Sequence, residues 1–355
     1  MTELLAATKK GLLVLEGDSG TGFEVRARAF AGEPVDYAMR DTRTGRAFAA
    51  VTSPFYGPKL WYAEDPEDEW SQAEGIALPA GGETALERMW VIVAGERDGY
   101  LYAGGDPGVL FESHDGGVTW ELNEALWTQP TRPQWQPGGG GLCLHSIVPW
   151  PGEPDRLAVA VSSAGVWLTD DGGRSWRQGN GGLVARYLPE EAREGATSLC
   201  VHHIERAPMR PERLFMQFHG GVYRSDDAGE TWTDIGAGLP SDFGFPLMLD
   251  PDDPDSAYVI PLHADVDRVT PNGRMRVFET RDAGASWIER GDGLPQSHAY
   301  LTILRHAFSR ATAGASLELY LGTTSGEVFG SADAGASWFT VASRLPPVYA
   351  LTTSA

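Results

Sequence analysis

The chain has 355 residues, with 49 acidic and 28 basic side chains and a formal net charge of −21. That excess argues against nucleic acid and anionic membrane as main partners, because both are themselves polyanions. No apolar run reaches the roughly eighteen residues of a membrane span. Two cysteines, Cys143 and Cys200, make no disulfide framework. Met1-Thr2-Glu3-Leu4 lacks the basic and apolar stretches that open a signal peptide, so a cytoplasmic protein is expected.

One octapeptide organises the sequence. Ser225-Asp226-Asp227-Ala228-Gly229-Glu230-Thr231-Trp232 has close copies at 113–120, 169–176, 280–287 and 331–338, and worn copies at 16–23 and 63–70. The closing aromatics Phe23, Trp70, Trp120, Trp176, Trp232, Trp287 and Trp338 stand 47 to 56 residues apart. Repetition at this period marks an architecture in which no unit buries its apolar face alone. Within the octapeptide, the Asp accepts bonds from backbone N–H groups a few residues on, and the Gly takes a positive φ without a Cβ clash. It reads as a hairpin turn, and its Trp opens the next strand with a large apolar face.

Short β-branched and aromatic runs separated by turn residues precede each octapeptide, the pattern of antiparallel strands. In chain order, strands at 4–8, 11–15 and around Phe23 come first and lack an inner partner. Complete units follow, each ending near its octapeptide. The last of them reads as strands at 300–304, 319–323 and 326–330. Residues 348–352, left over at the end, supply the inner strand that the first group lacks. This predicts an all-β fold, a seven-bladed β-propeller of four-stranded antiparallel blades in one domain spanning 1–355. Its two chain ends share a blade, which removes the exposed sheet edge.

The octapeptides resemble Asp boxes, also called BNR repeats. The whole chain is similar to the Asp-box propellers, which include sialidases, xyloglucan-active glycoside hydrolases, sortilin receptors and photosystem II assembly factors. In length and layout it looks like single-domain bacterial BNR-repeat proteins described as exo-sialidase-like or glycosyl hydrolase-like. The resemblance implies that Asp18, Asp65, Asp115, Asp171, Asp227, Asp282 and Asp333 are structural and lie on the rim away from the ligand face. It leaves two functions open: a sugar-acting hydrolase, or a non-catalytic scaffold for a protein or peptide. The Arg-Ile-Pro motif of true sialidases is missing, so a sialidase is not expected.

On the face opposite the boxes, three groups converge. The connector around Trp127 carries Arg132, Trp135 and Gln136 and ends in four glycines at 138–141. It reads either as a stacking wall for a sugar or aromatic ligand, or as a loop packed over the ring edge. Cys143-Leu144-His145 aligns with Cys200-Val201-His202, which puts His145 and His202 at one height on adjacent inner strands, while His219 falls at a nearby turn. Both cysteines read as small buried apolar residues. The histidines are candidates for acid–base chemistry or ligand binding. No cofactor is expected, the alternative being a divalent metal held by His145, His202 and His219.

The third group comprises the carboxylates Asp36, Glu87, Asp242, Asp265 and Asp267. Asp242 with Asp267 is one pair that could stand at the separation of about 5–10 Å that a glycosidase needs. Arg88, Arg132 and Arg268 could clamp an anionic ligand. Tyr300 completes the ligand-binding candidates, beside Trp135, Arg132, Gln136, Glu87, Arg88 and Arg268.

Overall fold

The structure is a computed structural model and describes residues 1–354 apart from 82–83, 194–197, 265 and 314–315. Asp265 therefore lies outside the described residues. Seven sheets, each of four antiparallel strands, form a propeller ring around a central channel. Blades 1 to 6 take consecutive strands, with inner strands Val35–Arg40, Arg88–Ala94, Leu144–Trp150, Val201–Arg206, Gly244–Leu249 and Phe308–Ala313. Blade 7 joins the chain ends, with Val348–Thr353 inside Thr2–Thr8, Gly11–Asp18 and Gly22–Ala29.

Middle strands are buried over most of their length because a neighbouring blade covers each of their faces. Leu214–Phe218 and Ala257–Pro261 are buried throughout, which is why these runs read as continuous rather than alternating. In the blades other than blade 7 the fourth strands are short and mostly exposed, as in Thr233–Asp234, where both residues are exposed. The core is accordingly a series of clusters between adjacent blades.

Closure rests on one antiparallel pairing, in which Leu4, Leu5, Ala6 and Ala7 face Thr353, Thr352, Leu351 and Ala350. Its side chains also tie blade 7 to both neighbours. Thr352 Oγ1 donates to Ala38 O of blade 1 at 2.8 Å, and Thr2 Oγ1 donates to Glu318 Oε2 of blade 6 at 2.7 Å.

Each well-formed octapeptide makes the same set of bonds. Asp227 accepts from Thr231 N at 2.9 Å, Thr231 Oγ1 at 2.6 Å and Ser225 Oγ at 2.8 Å. Asp115, Asp171, Asp282 and Asp333 make equivalent bonds. The worn copies keep part of the set, since Asp18 accepts from Gly20 N and Thr21 N, and Asp65 from Glu67 N. The turn also grips the preceding blade: Trp232 N donates to Gly181 O at 2.7 Å, and Gly181 N to Glu230 O at 3.0 Å.

One predicted strand is corrected. Residues 300–304 are a connector, and blade 6 begins at Phe308–Ala313, which pairs with Ser316–Gly322 from Phe308↔Leu321 to Ala313↔Ser316. A tight hairpin to the next strand is open only to the later run. Leu301 instead uses its carbonyl on Thr270 N, and Tyr300 is two-thirds exposed.

Hydrogen bonds from Ser175, through its hydroxyl and then its N–H, and from the Thr169 hydroxyl hold the Asp171 carboxyl at about 2. The carboxyls of Asp115, Asp227, Asp282 and Asp333 also lie below the usual range. A carboxylate depressed in the folded state leaves the unfolded chain to take up protons first. The stabilisation from these turns should be complete above about pH 4 and lost as the pH falls toward 2. Calorimetry across that range should show a steep fall in Tm, and Asp227→Ala should remove about 2 kcal/mol at pH 7 and flatten the fall.

Candidate ligand site at the channel mouth

Inner strands begin, and the turns between second and third strands lie, at the end of the ring away from the octapeptides. Two adjoining cavities open there, of about 260 and 220 Å³, sharing Arg268, Arg305, Phe245 and Gly140 in their walls. A third, of about 440 Å³, occupies the other end of the channel. His306 lines both the smaller upper cavity and the lower one, so it stands in the partition between them.

The larger upper cavity is built around blade 4. Cys200 precedes the inner strand, His202 lies on it, and His219 forms the turn after Leu214–Phe218. His219 N donates to Cys200 O at 3.0 Å, which fixes the turn against the strand start. One donor atom from each of Cys200, His202 and His219 lies within 4.8 Å of the other two. His202 Nδ1 donates to Gly244 O of blade 5 at 2.5 Å, which leaves Nε2 for the cavity. The cluster is walled by Phe243 and Phe245, whose rings stand 5.1 and 4.9 Å from His202, and by Tyr187 at 4.5 Å from His219.

The glycine loop roofs this cavity. Gly138 and Gly141 exchange backbone hydrogen bonds at 3.2 and 3.0 Å. A Cβ at Gly138 would come within 2.8 Å of Ser163 Oγ, so a glycine there permits the close approach to blade 3.

Cys200 is not the inert residue the sequence reading expects. Burial opposes its ionisation, but hydrogen bonds from His202 and His219 outweigh that and hold its thiol well below the ordinary range. Cys143, at the matching place in blade 3, is buried, with its Sγ 3.0 Å from Gly140 O, and burial pushes its thiol up to about 12. Both thiols are free.

His145 is separated from this group, which corrects the expected trio with His202 and His219. It lines the lower cavity and has both ring nitrogens engaged, Nδ1 with Ser146 Oγ and Nε2 with Val201 O, each at 2.9 Å. With buried His203 and partly buried His306 it forms a layer of imidazoles beneath the mouth. Burial holds all three below the usual histidine value, His145 and His306 well below it.

Arg305, which sequence reading missed, rises from this layer into both upper cavities. It is 8% exposed, and its Nε and Nη1 have no hydrogen-bond partner among the described residues. Burial lowers its pKa, and the nearby thiols of Cys143 and Cys200 oppose that. Its guanidinium stands 5.0 Å from the Trp90 ring.

The remaining sequence candidates divide. Gln136 and Arg268 line the larger cavity, and Arg88 and Arg268 the smaller. Arg88 is engaged by Asp36 at 3.3 Å. Trp135 is no open stacking wall: it is 5% exposed and packs on Trp167 at 5.2 Å. Arg132 is no anion clamp either, because its guanidinium donates to the carbonyls of Pro107 and Gly108 and lies over Trp127 and Trp135. Glu87, Asp242, Asp267 and Tyr300 line neither cavity. Among the described residues lining the two cavities, Asp36 is the one carboxylate, tied to Thr52 Oγ1 at 2.5 Å and to Arg88.

The molecule is thus a seven-bladed propeller with a thiol–imidazole cluster and a buried arginine at one mouth. No protein-family model and no curated protein sequence matches the chain. Solved structures match its fold. An ancestral GH74 enzyme superposes with a TM-score of 0.57 and 15% identity, over 90% of this chain and 38% of its own. The chain therefore spans well under half of that enzyme's length. YCF48 bound to D1 peptide gives a TM-score of 0.52 and 14% identity, over 90% of this chain and 85% of its own. Apo AztD from Citrobacter koseri gives 0.55 and 12%, over 99% and 98%. At these identities the likeness is one of fold alone.

The contrast between the two cysteines is directly measurable. In metal-stripped protein at pH 7, iodoacetamide should alkylate Cys200 at least tenfold faster than Cys143, read by peptide mass spectrometry. Equal rates would contradict the environments described here.

Proposed function

We propose that this propeller binds a small anionic molecule at its upper mouth, with Arg305 as the main charge partner and Arg268 beside it. One observation carries the reading: a guanidinium buried to more than nine-tenths, whose Nε and Nη1 have no partner among the described residues, lines both cavities. Leaving such donors dry and unmatched costs stability unless a ligand completes them. A planar fork of donors suits a carboxylate or phosphate group. Cys200, His202 and His219 lie along the same wall and would meet whatever the arginine holds.

Cavities of about 260 and 220 Å³ suit a small molecule rather than a polymer. Among the described residues, the lining also lacks the two free carboxylates of a glycosidase, so a sugar-acting hydrolase of that mechanism is the weaker form of the reading. A second reading, a peptide- or protein-binding scaffold, draws on the exposed pair Phe55 and Tyr56, at 84% and 80%. They sit in the turn between Ala47–Ser53 and Gly57–Ala63, on the face that carries the mouth. YCF48, of similar fold, has been seen with a peptide bound.

The test is a thermal-shift panel of inorganic phosphate, pyruvate and glucuronate on wild type and Arg305→Met. At least one anion should raise the wild-type Tm saturably and leave the variant unmoved. A ligand at a hundred times its Kd adds about 2.7 kcal/mol. Without ligand, the variant's Tm should equal or exceed that of wild type, because methionine removes a buried unpaired charge. A variant that unfolds, or that responds to the anions as wild type does, would make the arginine structural.

A further inference from the structure

The cluster beside Arg305 has a second chemistry. We propose that Cys200, His202 and His219 form a mononuclear site for a borderline-soft divalent ion of the Zn²⁺ type, with one coordination position open to the cavity.

The argument starts from donor type and spacing. Zn–S and Zn–N bonds of about 2.3 and 2.0–2.1 Å place tetrahedral donors roughly 3.3–3.8 Å apart. The three donor atoms here all lie within 4.8 Å of one another, so closing on an ion needs only small side-chain adjustments. One thiolate and two imidazoles suit Zn²⁺ and its neighbours, and the absence of a carboxylate from this cavity's described lining disfavours Mg²⁺ and Ca²⁺.

The supporting contacts are those of a ligand set held in place. His202 donates its Nδ1 proton to Gly244 O, the outer bond that fixes a metal-binding imidazole's tautomer and ring plane. Cys200 is anchored by its own N–H, which donates to Tyr187 OH at 2.7 Å, while that hydroxyl donates to Ser198 O at 2.6 Å. His219 is held through its backbone bond to Cys200 O. His145 shows what a purely structural histidine of this fold does: it spends both nitrogens on protein groups.

Charge agrees with an open position rather than a closed structural site. A divalent ion with one thiolate leaves a single positive charge, close to Arg268 and Arg305. The vacant position therefore favours water or the oxygen of an anion. The metal site itself stands without the anion reading, and the two can fail separately.

The experiment is Co²⁺ titration of reduced, chelator-stripped protein. One equivalent should bind, giving a thiolate-to-cobalt charge-transfer band and the intense visible bands of a tetrahedral ion, and Zn²⁺ should displace it. Cys200→Ser should abolish the charge-transfer band, His219→Gln should weaken Co²⁺ binding at least tenfold, and Cys143→Ser should change neither. His202 also anchors blade 5, so the first two variants decide, with metal-free Tm and near-ultraviolet circular dichroism showing that they fold. Absence of saturable Co²⁺ or Zn²⁺ binding at tens of micromolar, or a charge-transfer band that survives Cys200→Ser, overturns the proposal. Arg305→Met should retain the full equivalent of Co²⁺, so its loss of anion response would leave the metal site standing.

Discussion

The pairing of Thr2–Thr8 with Val348–Thr353 is the constraint on which the rest depends. Every blade buries its two faces against its neighbours, so a ring opened at this seam would expose Leu4, Ala6 and Leu351, which are completely buried. Closure also fixes where each inner strand stands around the channel. Cys200 of blade 4, Phe245 of blade 5 and Arg305 ahead of blade 6 belong to distant parts of the chain and make no local structure together. They share one cavity because the ring holds their strands at set angles.

The two ends of the ring treat their polar groups in opposite ways. At the octapeptide end, the aspartate of each well-formed copy is bound by hydroxyls and N–H groups of its own turn, and the turn at Trp232 is clipped to the blade before it. At the mouth, a guanidinium has two nitrogens without a partner among the described residues, and a thiol faces two imidazoles. Beneath them stand His145, His203 and His306, whose burial disfavours the charged ring.

Fold and site were legible to different degrees, for physical reasons. The octapeptides made blade number and closure readable, because a turn that saturates an aspartate needs the same residue types at the same spacing every time. The strand at 300–304 misled because an apolar run shows that a segment can be buried, not which partner it pairs with. For the site, aligning Cys143-Leu144-His145 with Cys200-Val201-His202 gave the right strands and heights. It could not show that His145 and His202 turn to opposite ends of the channel. Arg305 carried one weak signal, an Arg-His pair opening an otherwise apolar strand region. Trp135 and Arg132 looked like a ligand wall because a loop's composition does not reveal which of its faces packs down.

The difference between His145 and His202 follows from the residue after each. In blade 3 that residue is Ser146, whose Oγ takes the imidazole's Nδ1, while Nε2 reaches across to Val201 O. Both nitrogens are consumed, and the ring becomes a strut between blades. In blade 4 the equivalent residue is His203, which offers no hydroxyl and directs its own Nδ1 to Arg305 O at 3.1 Å. His202 keeps the bond to the next blade, now through Nδ1 to Gly244 O, and retains one nitrogen for the cavity. In blade 5 the places of Cys200 and His202 hold Phe243 and Phe245, which close the pocket with hydrocarbon instead of donors. Three adjacent copies of one strand start thus supply a strut, a reactive group and a wall. A repeat fold can build such a mouth because side chains at one height vary independently once the backbone bonds between blades are fixed.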